Sequence, residues 1–555
     1  MRSLVSAILF YVLVFPAMVL AGPQMAAIAS AHPLATAAGF VILDQGGNAF
    51  DAAVAVSATL AVVEPSGSGL GGGGFWLLKR ARDGKEVVID GRETAPLAAH
   101  AGMYQDGQGK AIPQSSLDGA LAAGIPGMPA ALAHLAKHYG RLPLAQSLAP
   151  AIRHAEAGFE VGDVYLRQVK TRESILQAFP ASAEVFLENQ AMPKPGFRLV
   201  QADLAATLRR LAHSGHAGFY RGETAAKLVA AVSAAGGIWT GEDLQHYRVQ
   251  ERRPQVGEYQ GIRIVSVPPP SSGGIVLLEA LNILSTYDLA NLAPVTRKHL
   301  IIEAERRAYR DRESYLGDPD FVQIPVRRLT SPEYAAGLSV GIRADRASPS
   351  DSLRESASPA PQGDNTTHFC IIDRQGNQVA ATLSINREFG SGFVAAGTGV
   401  LLNDEMDDFA VSPGQPNSYG LIGGSANKIE PGKRMLSSMS PTFLETRDRV
   451  AIIGTPGGSR IMSMVLLGIL DFAEGHGPTS WVSLGRFHHQ YLPDIVEYEP
   501  DSLSAEEIGG LEKLGHKLKV KPKPYGNMQA ILWDKSTGQV QAASDPRGEG
   551  LARVR

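Results

Sequence analysis

Hydrophobic runs, separated by glycine- and proline-rich breaks, divide the 555-residue chain. The run DAAVAVSATLAVV, which opens at Asp51, is almost wholly apolar and predicts a buried helix. A glycine-rich loop at 65–74 is followed by apolar runs at 75–78 and 87–89, which predict strands. Residues 117–311 have a mainly helical pattern, interrupted by Gly-Pro signals. Strands joined to helices in this way predict a layered mixed fold of the α+β class.

The main change in composition lies at residues 343–363, RADRASPSDSLRESASPAPQG, which hold almost no large apolar side chain. This composition predicts an exposed, mobile linker. The segments HFCIID and VAATLSI come directly after it, joined by turn residues at 375–377, and together they predict a β-hairpin. The linker therefore delivers the sequence Asn365-Thr366-Thr367 to the first strand of a hairpin.

The first 21 residues have the pattern of a secretory signal. Arg2 supplies a positive charge, residues 4–20 are almost wholly apolar, and Val19-Leu20-Ala21 fits the small-residue cleavage rule. An uncleaved membrane anchor is the alternative, although the apolar run is near the lower length limit for spanning a bilayer. We expect a mature chain that begins near Gly22 and is exported to a periplasm or beyond.

Composition and short motifs argue against several classes of function. The formal net charge of −3, from 52 basic and 55 acidic residues, does not favour nucleic acid or an anionic membrane as a partner. The GxGxxG-like string at 69–74 lacks the acidic residue that a dinucleotide site needs downstream. Adjacent His488 and His489 cannot face one metal ion on a regular helix, so we expect structural hydrogen bonds for them. Cys370 is the only cysteine, so the chain can form no internal disulfide.

Thr366 has the chemistry of a nucleophile if the chain is cut directly before it. A threonine hydroxyl needs an adjacent base, and the α-amino group released by such a cut lies on the same residue and titrates near neutrality. This pairing of threonine with its own amine is a known variant of nucleophile–base catalysis. Two simpler interpretations remain open for the segment alone: Asn365-Thr366-Thr367 fits the glycosylation pattern, and both threonines suit a β-strand.

Eleven segments of the chain resemble, in family order, the motifs of γ-glutamyltranspeptidases, which are N-terminal-nucleophile hydrolases. Asp364 to Phe369, DNTTHF, is similar to the family's processing site. The remaining similar segments are GGNAFDAAVA at 46–55, GLGGGGFWL at 69–77, DGRETAP at 90–96, PPPSSGG at 268–274, YRDRESYLGDPDF at 309–321, LLNDEMDDF at 401–409, RMLSSMSPT at 434–442, GTPGGSRI at 454–461, GRFHHQ at 485–490 and SDPRGEG at 544–550.

The resemblance implies a catalytic role for four residues. Thr366 matches the nucleophile that self-cleavage after Asn365 would make the new N-terminus. Ser384 takes the place of the hydroxyl residue that hydrogen-bonds the nucleophile from the paired strand, where better-known bacterial members have threonine. Gly457 and Gly458 match the backbone amides that receive the oxyanion.

The resemblance also implies a pocket for both charges of a γ-glutamyl group. Arg92, Ser437 and Ser438 match the clamp on the α-carboxylate, and Arg92 supplies a planar charge-assisted fork. The groups expected around the α-amino group are Asn386, Glu405 and Asp408. Residues 413–419 resemble a lid loop, with Tyr419 reaching towards Asn386.

Taken together, the resemblance implies a four-layer αββα sandwich that needs no metal and no organic cofactor. Self-cleavage would give a large piece, 22–365, and a small piece, 366–555, interwoven in one structural unit, 22–555. The implied reaction transfers the γ-glutamyl group of glutathione or related amides to water, amino acids or dipeptides. A glutaryl or β-lactam acylase of the same fold is the closest rival, and a catalytically silent binding protein is a third possibility. Arg387 and Glu388, beside Asn386, replace the small hydroxyl residues of better-known bacterial members.

Overall fold

The computed structural model describes residues 21–353, 365–410 and 424–555. Strands in these residues are β1 Ala27–Ser30, β2 Gly73–Lys79, β3 Glu86–Gly91, β4 Phe159–Glu160, β5 Arg198–Leu199, β6 Gln250–Arg252, β7 Gln255–Tyr259, β8 Ile262–Ser266, β9 Thr367–Ile372, β10 Gln378–Ser384, β11 Val394–Ala395, β12 Val400–Leu401, β13 Thr442–Glu445, β14 Arg449–Gly454, β15 Phe487–His488, β16 Val496–Tyr498, β17 Leu518–Val520, β18 Gln529–Asp534, β19 Val540–Ser544 and β20 Leu551–Val554.

Helices surround these strands on both sides. They are α1 Pro33–Asp44, α2 Ala49–Val63, α3 Met128–His138, α4 Leu144–Ala157, α5 Asp163–Ala178, α6 Pro180–Phe186, α7 Ala202–Ser214, α8 Ala217–Tyr220, α9 Gly222–Ala234, α10 Gly241–His246, α11 Gly273–Leu284, α12 Pro294–Tyr315, α13 Val326–Leu329, α14 Pro332–Val340, α15 Ile461–Ala473, α16 Pro478–Ser483 and α17 Ala505–Lys513. Among the described residues, no helix is long and apolar enough to cross a membrane.

Two antiparallel sheets form the centre of the molecule. The first has the strand order β20-β1-β9-β10-β2-β3-β6 and the second has the order β19-β18-β14-β13-β8-β7. Strands from before and after Thr366 are neighbours in both sheets, so each sheet is built from both parts of the chain. Strand β9, which follows Thr366, lies between β1 and β10 in the middle of the first sheet.

Alternate residues of the first sheet enter two different cores, which defines the layers. Phe369 and Ile371 of β9 pack with helices α1, α2 and α4, whereas Cys370 and Ile372 pack against the second sheet. Helices α11, α12 and α15 cover the other face of that second sheet. Successive side chains of a strand point to opposite faces, so both faces of the first sheet are buried. The four-layer αββα sandwich is confirmed.

Helix α2 shows why this layering follows from the sequence. All of its residues are buried, as its continuous apolar run predicts. Asn48 and Asp51 form a capping box at its N-terminus, in which the Asn48 side chain accepts from the N–H of Asp51 and the Asp51 carboxylate accepts from the N–H of Asn48. The β9–β10 hairpin is also confirmed, with Gly376 at φ +85° in its turn.

The described part of the segment predicted as a linker, 343–353, contains one buried residue, Ser350. Ser350 is fully buried, its N–H donates to Asp494 Oδ2 at 2.9 Å, and its hydroxyl accepts from Arg306. Residues 343–346, 351 and 352 are exposed, whereas Ser350 differs from the exposed linker that composition predicts, because Arg306 and Asp494 hydrogen-bond a residue that carries no apolar signal. Residues 354–363 lie outside the described residues.

Candidate active site

Thr366 stands directly before β9, and its hydroxyl contacts the peptide bond that precedes it. Thr366 Oγ1 donates a hydrogen bond to the carbonyl oxygen of Asn365 and lies 3.4 Å from Ser384 Oγ. The last paired residues of the hairpin are Thr367 and Leu383, so Ser384 lies one step beyond them, opposite Thr366. Ser384 Oγ also accepts from the N–H of Asn386 at 2.8 Å. The hydroxyl pair expected from the sequence is therefore present.

The peptide bond between Asn365 and Thr366 is shielded from solvent. Asn365 is 6% exposed and Thr366 is 5% exposed, and the Asn365 side-chain amide donates to the carbonyl of Ser66. A separate protease needs an accessible, flexible segment to bind. Cleavage at this bond in the folded chain therefore favours a nucleophile supplied by the chain itself.

Gly457 and Gly458 form the turn between β14 and α15. Their φ angles are +138° and +57°, which side chains other than glycine rarely adopt. A Cβ at Gly457 would lie 2.6 Å from Met464 Cε. Neither backbone N–H donates a hydrogen bond to any residue that the structure describes. Gly458 and Thr366 line the same cavity, so this turn presents unpaired donors beside the hydroxyl.

Arg92 lies among three carboxylates, those of Glu93, Glu405 and Asp408. Its Nη1 lies 2.5 Å from Glu405 Oε2 and 3.4 Å from Glu93 Oε2, and its Nη2 donates to Asp408. Arg92, Glu93 and Glu405 are each no more than 1% exposed. Burial, followed by the charge of Glu405, raises the pKa of Glu93 well above its usual range. We therefore expect Glu93 to hold a proton, and burial also raises the pKa of Asp408, to about 7.

Ser437 and Ser438 of the RMLSSMSPT motif contact the PPPSSGG and YRDRESYLGDPDF motifs. Ser272 donates to the carbonyl oxygen of Ser437 from both its N–H and its hydroxyl, each at 2.8 Å. Ser438 Oγ accepts from Arg312 Nη2 at 3.3 Å, and Arg312 Nε donates to Ser272 Oγ at 3.0 Å. Arg312 lies in the YRDRESYLGDPDF motif but was not among the site residues predicted from the sequence. A second buried arginine therefore stands at the serine side of the site.

Asn386 lines the same cavity as Ser437 and Ser438. Its φ is +75°, its side-chain amide donates to the carbonyl of Asp404 at 2.9 Å, and it lines the cavity. The N–H of Arg387 donates to Asp404 Oδ1 at 3.0 Å, which ties the neighbouring residue to the same loop. Tyr419 and the predicted lid at 413–419 lie outside the described residues.

The predicted site residues meet around one small cavity of about 20 Å³. Such a volume is about what a single water molecule needs, so the site is nearly filled by its own side chains. The predicted residues that line it are Arg92, Thr366, Ser384, Asn386, Glu405, Asp408, Ser437, Ser438 and Gly458. Asn365 and Gly457 each adjoin a lining residue along the chain.

His488 and His489 make the structural hydrogen bonds expected of them. His488 is buried and bonds to Ser463 at 2.7 Å and to Gln490 at 2.9 Å. His489 Nε2 lies 3.2 Å from Asp494 Oδ1. Burial lowers the pKa of His489 to about 4, so it is neutral at pH 7. Neither histidine lines the cavity that contains Thr366.

Comparison with known proteins agrees with the motifs and with the geometry. The family profile described as gamma-glutamyltranspeptidase matches residues 35–554. A glutathione hydrolase proenzyme from Pseudomonas sp. (strain A14) is 44% identical over 519 residues, covering 92% of this chain and 89% of the relative.

Two solved structures share the fold. A cephalosporin acylase from Bacillus halodurans superposes with a TM-score of 0.83 at 29% identity, covering 98% of this chain and 99% of the acylase. A Helicobacter pylori gamma-glutamyltranspeptidase gives a TM-score of 0.57 at 39% identity, covering 59% of this chain and 97% of that structure's chain. With a family match over nearly its whole length, this chain belongs to the gamma-glutamyltranspeptidase family of N-terminal-nucleophile enzymes.

Proposed function

We propose that this protein is the precursor of a γ-glutamyltransferase and glutathione hydrolase that cuts itself between Asn365 and Thr366. The observation that carries the proposal is the contact of Thr366 Oγ1 with the Asn365 carbonyl, at the wall of a buried cavity that also holds Arg92. In the same way, we propose that residues 1–21 are a signal that directs the chain to the periplasm or beyond.

The first step is self-cleavage. Thr366 Oγ1 attacks the carbonyl carbon of Asn365, the C–N bond to Thr366 breaks, and the released nitrogen takes the hydroxyl proton to become an α-amine. Water then hydrolyses the ester, which leaves a carboxylate on Asn365 and restores the hydroxyl of Thr366. The products are a large piece, 22–365, and a small piece, 366–555, which remain one structural unit because strands of both share each sheet.

The second step is acyl transfer by the new N-terminus. The α-amine of Thr366 takes the hydroxyl proton, directly or through a water molecule, while Oγ1 attacks the γ-carbonyl of the substrate. The N–H groups of Gly457 and Gly458 are the donors for the oxyanion, because both lack a partner among the described residues. The leaving amine takes the proton, and water, an amino acid or a dipeptide then attacks the γ-glutamyl ester. These residues suffice for the proposed chemistry without a metal or an organic cofactor.

The charges of the cavity suit a zwitterionic γ-glutamyl head group. We assign Arg92 to the α-carboxylate, with Ser437 and Ser438 as further donors. Glu405 and Asp408 then accept from the α-ammonium, with Asn386 beside them. In the unliganded cavity Arg92 pairs directly with both acids. A bound zwitterion would replace that internal pairing with one carboxylate and one ammonium of its own, so no buried charge would lose its partner.

A glutaryl or β-lactam acylase is the second candidate, favoured by the acylase that shares the fold. A glutaryl group has the carboxylate but lacks the α-ammonium. With such a ligand on Arg92, the buried Glu405 carboxylate would lose the cation with which it is paired, which is unfavourable. The pair of acids therefore favours the γ-glutamyl substrate. A silent binding protein would not need a hydroxyl placed on the peptide bond before it.

A chromogenic γ-glutamyl anilide and its glutaryl counterpart, assayed on the same purified enzyme, distinguish these candidates. We expect kcat/KM to be at least 100-fold higher for the γ-glutamyl anilide, since leaving a buried charge unpaired costs about 3–5 kcal/mol. Equal or higher kcat/KM for the glutaryl anilide would contradict the proposal. Hydrolysis of neither substrate by a cleaved enzyme would support the silent protein.

A further inference from the structure

A second polar cavity of about 30 Å³ lies behind the cleavage site. Its wall includes Glu64, Ser66, Gln168, Asn527 and Glu549. It is separate from the substrate cavity, which is lined by Thr366. Thr367, the residue after Thr366, is hydrogen-bonded to Glu64 in the wall of the second cavity. Its volume and polar lining suit one or two water molecules. The mechanism above assigns no role to these residues.

Glu64 is an acid without a cation in this cavity. Its Oε2 accepts a hydrogen bond from Thr367 Oγ1 at 2.5 Å. Neither lysine nor arginine lines the cavity, and Glu64 forms no ion pair with any residue that the structure describes. Burial raises the pKa of Glu64 to about 7, because the hydrogen bond from Thr367 offsets only part of the desolvation. A desolvated carboxylate without a cation is unfavourable, and a positive charge nearby would stabilise it.

The other titratable groups around the cavity do not supply that charge. Glu549 is an acid, and its Oε1 already accepts from the N–H of Val164 at 2.7 Å, in the first turn of α5. His32 faces the cavity, but burial and the nearby His154 lower its pKa to about 4, so it is neutral near pH 7. Arg92 lines the substrate cavity on the other side of Thr366 and is paired with Glu405 and Asp408 there.

Self-cleavage creates a cation at this place. The scission releases the nitrogen of Thr366 as an α-amine, which is protonated at neutral pH unless its surroundings prevent it. Thr367 is the next residue, and consecutive Cα atoms are about 3.8 Å apart. Gly67 lies close to both Glu64 and Thr366. A Cβ added to Gly67 would lie 3.3 Å from Glu64 Cδ and 3.4 Å from the carbonyl oxygen of Thr366. The carboxylate therefore stands within electrostatic range of the new N-terminus.

We propose that Glu64 is the counter-ion of the α-ammonium that self-cleavage releases on Thr366. The inference rests on the proposed function, since an uncut chain has no such ammonium. In the precursor Glu64 is a partly buried acid, and its side chain accepts from the Thr367 hydroxyl. In the cut enzyme it faces an opposite charge, which completes the pair. Glu64 is thus a positioning residue that acts on the amine rather than on the substrate.

The sign of the effect on catalysis follows from this pairing. The amine of Thr366 must be neutral to take the hydroxyl proton. A nearby carboxylate stabilises the ammonium and raises the pKa of the amine, so the acidic limb of the kcat/KM profile lies at higher pH than it would without Glu64. A substitution that removes this charge therefore moves the acidic limb to lower pH.

The test compares pH profiles of kcat/KM for a γ-glutamyl anilide. In the cleaved Glu64→Gln enzyme, we expect the acidic limb to move down by about one pH unit or more. Glu64→Asp keeps the charge and should keep the limb near its wild-type position. Gln168→Ala is the matched control, since Gln168 is a neutral group of the same cavity that accepts from Ser66. In Gln168→Ala the maximal kcat/KM can change, but the acidic limb should stay at its wild-type pH. A limb that stays in place or moves up in Glu64→Gln overturns the inference.

A second measurement covers the case in which Glu64→Gln is not cleaved. Infrared titration follows the protonated carboxyl band of Glu64 in the uncut Thr366→Ala chain and in mature wild-type enzyme. Glu64→Gln in the Thr366→Ala background, which needs no processing, assigns the band. We expect protonation near pH 7 in the uncut chain, in line with the raised pKa, and only at lower pH in the mature enzyme. The inference is overturned if the Glu64 carboxyl titrates at the same pH in the uncut chain and in the mature enzyme. A wild-type chain that is never cut overturns the proposed function instead, and this inference with it.

Discussion

Arg92 and Glu405 form a buried ion pair in which Nη1 and Oε2 lie 2.5 Å apart, although 313 positions separate the two residues in the chain. The pair is closed to solvent and borders the hydroxyl of Thr366. Because a buried charge is stable only with a partner, the pocket is organised for a ligand that carries both signs.

Arg92→Lys tests whether the planar guanidinium of Arg92 holds the substrate α-carboxylate with two parallel hydrogen bonds. Lysine keeps a positive charge near Glu405 and Asp408 but cannot hold a carboxylate with two parallel hydrogen bonds. We expect kcat/KM for a γ-glutamyl anilide to fall about 10- to 100-fold, since a hydrogen bond to a charged group contributes about 1.5–3 kcal/mol. Arg306→Lys is the control, because Arg306 is buried and paired with Glu303 but does not line the cavity. An equal loss in both variants would contradict the assignment of Arg92.

Ser384→Ala removes the hydroxyl that lies 3.4 Å from Thr366 Oγ1 and accepts from the N–H of Asn386. We expect the rates of self-cleavage and of turnover both to fall about 3- to 10-fold, as for one hydrogen bond of about 0.5–1.5 kcal/mol. Ser384→Thr retains the hydroxyl and should stay near the wild-type rates. Timed gels and steady-state assays measure the two rates, and unchanged rates in Ser384→Ala would remove Ser384 from the mechanism.

Gly457→Ala tests the oxyanion donors. The added Cβ meets Met464 Cε at 2.6 Å on a backbone with φ +138°, so the N–H groups of the turn must shift. Losing one such donor lowers kcat about 100- to 1000-fold. Gly468→Ala, in the following helix α15, is the control, because its nearest neighbours are at ordinary distances of 3.6 Å or more. Steady-state kinetics that show similar kcat for both variants would contradict this role.

The sequence predicts those parts of the fold whose signal is local. The buried helix α2 and the strands β9 and β10 follow from their apolar segments, and the turn at Gly376 follows from residue type. The identity of the candidate site residues came from motifs that resemble a family. Local patterns did not indicate which residues would meet, because Arg92 reaches its acids only through the packing of distant segments.

Buried polar contacts were the least predictable feature. Ser350 lies in a segment whose composition predicts exposure, yet Arg306 and Asp494 hold it in the interior. Glu64 looks like an ordinary residue at the end of α2 until the hydrogen bond from Thr367 is known. Arg312 could have been found from its motif, but not its contact with Ser438. Hydropathy records the polarity of a side chain and does not record its partner.

The substitution Glu305→Gln should change how the free energy of unfolding depends on pH. Glu305 is 1% exposed, and burial raises its pKa to about 8. Between its unfolded pKa near 4.5 and this value the folded state binds one proton more than the unfolded state, so stability decreases as pH rises, by about 1.4 kcal/mol per pH unit for this group. Glutamine stays neutral and should lose less melting temperature between pH 5 and pH 8 than wild type. An equal fall in melting temperature between pH 5 and pH 8 for wild type and Glu305→Gln would contradict the raised pKa of Glu305.

The direct test of self-processing is the intact mass and N-terminal sequence of the purified protein, with Thr366→Ala as the control. We expect wild type to give two pieces, one of which begins at Thr366, and Thr366→Ala to remain one chain. Thr366→Ser, which keeps a hydroxyl, should still be cut. A single uncut chain for wild type, or equal cleavage of Thr366→Ala, would contradict the mechanism in which Thr366 cuts the chain and then becomes its N-terminal nucleophile.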